Sequence, residues 1–202
     1  MSERGQFIVL EGIGGCGKGT QTELLRQRLI GLKHSVLVTC EHTRDTPTGK
    51  LIERIIKKEE ESVDPTALQL LFIADRADHT QRVIRPSLRN YDYVICDRYE
   101  ASTVAYAPPG DRKYLLDTNL RVTVRPKLTV IIDVDPTIAL ERIGKRNDAD
   151  IFDRLPKMRE CQEGYRWYGR YSGNECVWVD GSGNQEEVHK RIVVEMVRRK
   201  II

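Results

Sequence analysis

A doubly wound α/β sandwich around a five-stranded parallel sheet is the fold class this sequence predicts, and three observations carry the prediction. Five short runs rich in Val and Ile recur along the chain, segments of helical character separate them, and a glycine-rich turn joins the first run to the first helix. At 202 residues the chain suits one core, because cores stop growing only beyond about 250 residues. No repeat, low-complexity tract or Pro/Gly/Ser linker divides it. One domain over residues 1–202 is therefore expected.

The strand candidates are QFIVLEG (6–12), HSVLVTCE (34–41), YDYVICDRY (91–99), KLTVIIDVD (127–135) and ECVWVDGS (175–182). They are apolar without clean alternation, as in strands covered on both faces of a parallel sheet. KGTQTELLRQRLIGL (18–32) follows the glycine turn as a helix, and TGKLIERIIKKEEE (48–61) pairs apolar residues at helical spacing. The stretch 64–90 opens with Asp64 as a cap and Pro65 in the first turn; Asp135 and Pro136 repeat that device at 135–143. In the last segment, 189–202, Ile192, Val193, Met196 and Val197 form an apolar stripe opposite the basic residues, which makes a solvated terminal helix rather than a nucleic-acid patch.

Composition excludes several functions. The net charge is only +3 and the charges are dispersed, so neither nucleic acid nor a membrane surface is the expected partner. Five cysteines at wide, irregular spacings, without a C-x-x-C pair, argue against a zinc site or a disulfide framework. No apolar stretch approaches the roughly 18 residues that span a bilayer, and MSERGQFIVLEG lacks the apolar region of a signal peptide. A soluble, cytoplasmic protein is the expectation.

The turn FIVLEGIGGCGKGTQ (7–21) carries the chemistry. Gly12, Gly14, Gly15, Cys16 and Gly17 form a loop whose backbone N–H groups converge on phosphate oxygens, helped by the N-terminus of the next helix, and Lys18 bridges the outer phosphates. The usual magnesium-binding hydroxyl after the lysine is replaced by Gly19. A P-loop sandwich binding a nucleoside triphosphate follows.

GKGTQ resembles the loop variant of nucleoside monophosphate kinases, and the rest of the chain resembles thymidylate kinases. The likeness runs through FIVLEG, GKLIERI, LLFIADRADH, CDRYEASTVAY, DVDPTIALERI and VDGSGNQEEV. It implies transfer of the γ-phosphoryl group of MgATP to dTMP, giving dTDP and ADP, with ATP and Mg2+ required and a homodimer as the assembly. By this resemblance Thr20 contacts the α-phosphate and meets the ion through water, and Asp97 holds the magnesium and its waters. Arg98 takes the acceptor phosphate, and Arg44 matches in type a second cation there. Phe72 stacks on thymine while Arg76 reaches its O4. Ser102 and Thr103 approach the base and sugar, and Tyr106 packs beneath the deoxyribose. Without the family, a core Phe72 beside a salt-bridged Arg76 and a structural Asp97–Arg98 pair are the readings those residues invite. The turn at Gly181 and Ser182 is implied to meet the donor base.

Phosphoryl transfer to a monophosphate needs cations from several directions rather than a general base. The phosphate loop offers no arginine, so a small lid at about 142–154 is the natural supplier, with Arg146 ahead of Arg142 and Lys145. The chain departs from the family at three places. Gly14 stands where an acidic residue usually bonds the acceptor's 3'-hydroxyl, His42 where proline is common, and Ala107-Pro108-Pro109 where a glutamine often follows the tyrosine. They leave open a kinase for another pyrimidine deoxynucleotide such as dUMP, or a catalytically weak nucleotide-binding regulatory protein.

Overall fold

The computed structural model describes residues 5–145 and 150–202. In chain order the elements are β1 (Gln6–Glu11), α1 (Lys18–Gly31), β2 (Val36–Cys40), α2 (Pro47–Ile56), α3 (Pro65–His79), α4 (Arg85–Asn90), β3 (Tyr93–Asp97) and α5 (Glu100–Tyr106). There follow α6 (Arg112–Leu120), β4 (Leu128–Asp133), α7 (Pro136–Gly144), α8 (Leu155–Tyr171), β5 (Cys176–Asp180) and α9 (Gln185–Arg198). The five strands pair in the order β2-β3-β1-β4-β5, and every pairing is parallel. The expected sheet is therefore present.

Burial follows that order. The inner strands β1, β3 and β4 are nearly all buried. The edge strands β2 and β5 are not covered on both faces as their sequences suggest, and they leave Val38 37% and Trp178 40% exposed. One side of an edge strand has no neighbour, so apolar composition alone does not bury it.

Caps set the helix boundaries. Asp64 Oδ1 accepts from the Thr66 and Ala67 N–H groups at 2.9 and 3.2 Å, and Asp135 Oδ1 from Thr137 N–H at 2.8 Å. Thr46 does the same for α2 through the Gly49 N–H at 3.0 Å. That helix stops at Ile56, short of the acidic run the sequence reading included. The long helix read over 64–90 is continuous except for a π turn at Thr80–Ile84. In α9 the buried stripe is Val188, Ile192, Val193 and Met196, whereas Val197 is 53% exposed. Among the described residues no helix is long and apolar enough to cross a membrane.

Close packing of α8 on α5 shapes the region above the sheet. A β-carbon on Gly164 would meet the Ala105 backbone, so the two helices approach to the limit that glycine permits. That approach brings Tyr165 of α8 within 3.0 Å of both Glu11 Oε2 and the Gly12 carbonyl, to which its hydroxyl hydrogen-bonds. The carboxyl end of β1 is thereby tied to a helix that begins more than a hundred residues later.

Candidate active site

Between Glu11 and Lys18 the chain folds into the loop the sequence predicts. Gly15 has φ +73°, and a β-carbon there would run into the Ala139 carbonyl of α7. Gly17 caps α1 with φ +98°. Gly12, Gly14, Cys16 and these two glycines lie against the N-terminus of α1, the geometry that receives phosphate oxygens. Lys18 is buried; its ammonium donates to the carbonyls of Gly12 at 2.9 Å and Ile13 at 3.0 Å, with Cys16 Sγ at 3.6 Å. Its charge is held in the loop by three fixed partners.

Gly19 and Thr20 are exposed in the first turn of α1. A β-carbon on Gly19 would lie 3.9 Å from Asp97 Oδ2. The carboxylate that ends β3 thus faces the phosphate loop at the point where a hydroxyl is missing. An oxygen donor beside an exposed loop fits magnesium, which keeps several waters and takes one or two carboxylates.

A cavity of about 370 Å3 opens beside this loop, lined by Gly14 and Gly15 together with Arg44, Phe72, Arg76, Asp97, Arg98, Ser102, Thr103 and Tyr106. All the substrate-side residues read from the sequence therefore share one space. Arg98 has φ +68°, a left-handed backbone that costs a non-glycine residue about 1–2 kcal/mol. Its guanidinium reaches the Gly12 carbonyl at 3.2 Å, Ser102 Oγ at 3.1 Å and the Tyr106 hydroxyl at 3.4 Å, and sits 5.3 Å from the Tyr106 ring centroid. Burial raises the Tyr106 hydroxyl's pKa, so it stays neutral and can accept from Arg98.

Arg76 is 1% exposed and nearly saturated. Nε donates to Glu41 Oε2 at 2.6 Å, one Nη to Thr103 Oγ1 at 2.7 Å and Asn119 Oδ1 at 2.6 Å, and the other to the Tyr99 carbonyl at 2.9 Å. A guanidinium has five N–H groups, so these bonds leave one to face the cavity. Arg76 is at once a buried ion-pair partner and a cavity residue. Phe72 is half-buried with its ring edge-on to His42 at 5.7 Å. Arg44 is exposed at the rim.

The structure adds partners to some expected residues and sets others apart from the cavity. Thr103 lines the cavity but is 1% exposed, and its oxygen accepts from Arg76. Ser102 donates to Glu11 Oε2 at 2.7 Å and likewise braces the site. Arg142 does not line the cavity; its two Nη atoms lie 3.4 and 3.5 Å from the Gly181 carbonyl, at the turn where Ser182 N–H bonds Asp180 Oδ1 at 2.9 Å. Arg146 lies outside the described residues.

Several residues of the site carried no local signal. Glu11 is fully buried and accepts from the N–H groups of Tyr99 and Ser102 at 2.8 and 3.0 Å. Burial raises its pKa, while the Ser102 hydroxyl, Arg98 and the Tyr99 N–H act against the rise. Glu41, which pairs with Arg76, also accepts from His79 Nδ1 at 2.9 Å. Glu41, His79 and Cys96 group their ligand atoms within 4.8 Å, but both Glu41 oxygens are already engaged. Ile151 N–H bonds the Ile56 carbonyl at 3.3 Å, and Ile151 and Phe152 pack on the α2–α3 apolar cluster. Phe152 meets the Tyr106 ring edge-on at 4.9 Å, so the segment before α8 roofs the cavity.

The geometry gathers cations from β1–α1 and β3 around an anion-binding loop, next to a cavity that Phe72 and Tyr106 line. The family model for thymidylate kinase matches residues 10–192, a span that includes the loop, the cavity and the Gly181 turn. Thymidylate kinase of Pelobacter propionicus is 32% identical, with 98% of this chain and 96% of that protein aligned. The probable thymidylate kinase of Thermococcus kodakarensis is 38% identical over 93% of this chain and 95% of its own length. Among solved structures, thymidylate kinase from Ehrlichia chaffeensis superposes with a TM-score of 0.75 at 26% identity, covering 95% of this chain and 98% of that one. With its phosphate loop, its DRY arginine and its aromatic cavity in the same fold, the chain belongs to the thymidylate kinase family.

Proposed function

We propose that this protein transfers the γ-phosphoryl group of MgATP to dTMP, giving dTDP and ADP. The observation that carries the reading is the continuity of one cavity from the phosphate loop, through Arg98, to Phe72 and Arg76. In this reading the loop from Gly12 to Gly17 and Lys18 receive the donor phosphates, and Thr20 meets the α-phosphate. Arg98, with Arg44 at the rim, holds the acceptor phosphate, whose second pKa near 6 leaves an ionised oxygen ready to attack. Thymine lies on Phe72, and the remaining N–H of Arg76 donates to a base carbonyl. Tyr106 packs against the deoxyribose. Arg142 and the Gly181–Ser182 turn border the adenine. Asp97 would hold magnesium largely through water; the ion, when bound, neutralises charge on the transferring group.

The reaction needs no general base, so the site's work is placement and charge compensation. A lid at about 142–154 on a single 1–202 domain, a homodimer and a cytoplasmic setting complete the reading; light scattering giving twice the chain mass would support the dimer, and a monomer would refute it.

ADP release in the presence of dTMP, dUMP, dCMP and AMP tests the activity. The highest kcat/KM is expected with dTMP, and a preference for any of the others refutes the assignment. Base stacking on an aromatic ring is worth about 1–3 kcal/mol, so Phe72→Ala should raise the dTMP KM by about 5- to 150-fold with the ATP KM unchanged. An unaltered dTMP KM would remove Phe72 from the base pocket.

A further inference from the structure

Gly14 gives the phosphate loop a bare wall where it borders the cavity. That volume is filled from the opposite side. A β-carbon on Gly14 would collide with Asp153 Oδ1 and come within 3.2 Å of Ile143 Cδ1. Asp153 therefore sets a carboxylate oxygen directly over the loop, in the space a side chain at position 14 would occupy.

The turn that presents it is tightly held. Ile151 N–H bonds the Ile56 carbonyl, Phe152 N–H bonds Asp150 Oδ1 at 2.7 Å, and Arg154 N–H bonds the Phe152 carbonyl at 2.9 Å. Asp153 Oδ2 accepts the Asp150 N–H at 2.9 Å, which fixes the plane of the carboxylate. Oδ1 accepts no hydrogen bond from any described residue. Both Asp153 and its neighbour Phe152 line the cavity, and Phe152 packs on Tyr106, between the Arg98 end and the Phe72 end.

A carboxylate oxygen accepts hydrogen bonds, so a nucleotide bound here must offer it a donor, and dTMP has two, the sugar hydroxyl and thymine N3–H. dTMP has a single sugar hydroxyl, at C3', and the sugar lies between its phosphate and its base. We infer that Asp153 Oδ1 accepts the acceptor's 3'-hydroxyl, so that the lid turn, not the phosphate loop, supplies the carboxylate that selects and orients the sugar. This rests on the dTMP reading above.

The test compares dTMP with its 3'-deoxy analogue in the wild type, Asp153→Ala, Asp153→Asn and the double variant Gly14→Asp/Asp153→Ala, by kcat/KM and by calorimetric Kd. A hydrogen bond to a charged group is worth about 1.5–3 kcal/mol, so the wild type should favour dTMP about 10- to 100-fold. Asp153→Ala should reduce that ratio to within about 3-fold, chiefly by weakening dTMP, and Asp153→Asn, which keeps the shape, should fall between. The double variant returns a carboxylate to the same volume from the loop side and should recover most of the ratio. Gly14→Asp alone should lose activity through the collision. Asp153→Ala or Asp153→Asn retaining the full wild-type ratio, or equal losses on both nucleotides, would overturn the inference while leaving the kinase activity standing. A wild type that neither binds nor phosphorylates dTMP would overturn both.

Discussion

Arg98→Gly is expected to yield a protein more stable than Arg98→Ala, although both should lose at least about 10²- to 10³-fold in kcat, the cost of removing a preorganised donor to developing charge. The two variants delete the same contacts to Gly12, Ser102 and Tyr106. They differ in what the backbone tolerates. At φ +68° alanine keeps the steric cost that arginine bears, whereas glycine sheds about 1–2 kcal/mol of it. The backbone is held there because Arg98 N–H bonds the Leu10 carbonyl at 3.0 Å while Tyr99 N–H turns onto Glu11. Such strain persists at sites where it aims a functional group. Urea midpoints at unchanged slope give the stability difference, and ADP release with dTMP gives kcat. Equal midpoints would mean that the backbone stores no such cost, and a kcat within threefold of wild type would remove Arg98 from the reacting phosphates.

What the sequence makes legible is what it encodes locally. The loop from Gly12 to Lys18 is contiguous, Asp97 and Arg98 follow directly on an apolar strand, and the Asp-Pro starts at 64 and 135 act within three residues. Phe72 and Arg76 lie one helical turn apart and share the cavity. The partners of these residues are another matter. Arg76 meets Glu41, Thr103 and Asn119, each 27 to 43 residues away, and Glu11 meets Tyr165 across 154. No periodicity specifies which strand end faces which helix. The same limit hid the edge positions of β2 and β5, which follow from crossover topology, and the seven-residue α5, too short to display a period. Arg142 stands in a basic segment, which is all the sequence shows of it; its contact with the Gly181 carbonyl joins positions 39 residues apart.

Breaking the Arg76–Glu41 pair should produce the largest stability loss among single substitutions at the site. Both side chains are 2% exposed; burial works against the guanidinium's charge, and Glu41 together with Tyr99 and Glu100 outweighs it. Removing one partner takes the counter-charge from the other in the interior, which typically costs about 3–5 kcal/mol. Glu41→Ala also strands His79, whose other ring nitrogen is held by Thr39 Oγ1 at 2.7 Å. Arg76→Ala leaves Glu41, Thr103, Asn119 and the Tyr99 carbonyl short of a donor. Glu41→Ala/Arg76→Ala should therefore be less destabilised than the sum of its singles, by at least about 1 kcal/mol, since contacting residues couple. Arg76→Lys separates stability from recognition: the charge remains opposite Glu41, but a point-like ammonium cannot reproduce the planar fork that aims one N–H into the cavity. Arg76→Lys is thus expected to keep more stability than Arg76→Ala yet still raise the dTMP KM well above wild type, with the ATP KM unmoved. Additive single losses would show that Arg76 and Glu41 do not act as a pair, and an unchanged dTMP KM in Arg76→Lys would show that the fork's geometry is not what the base reads.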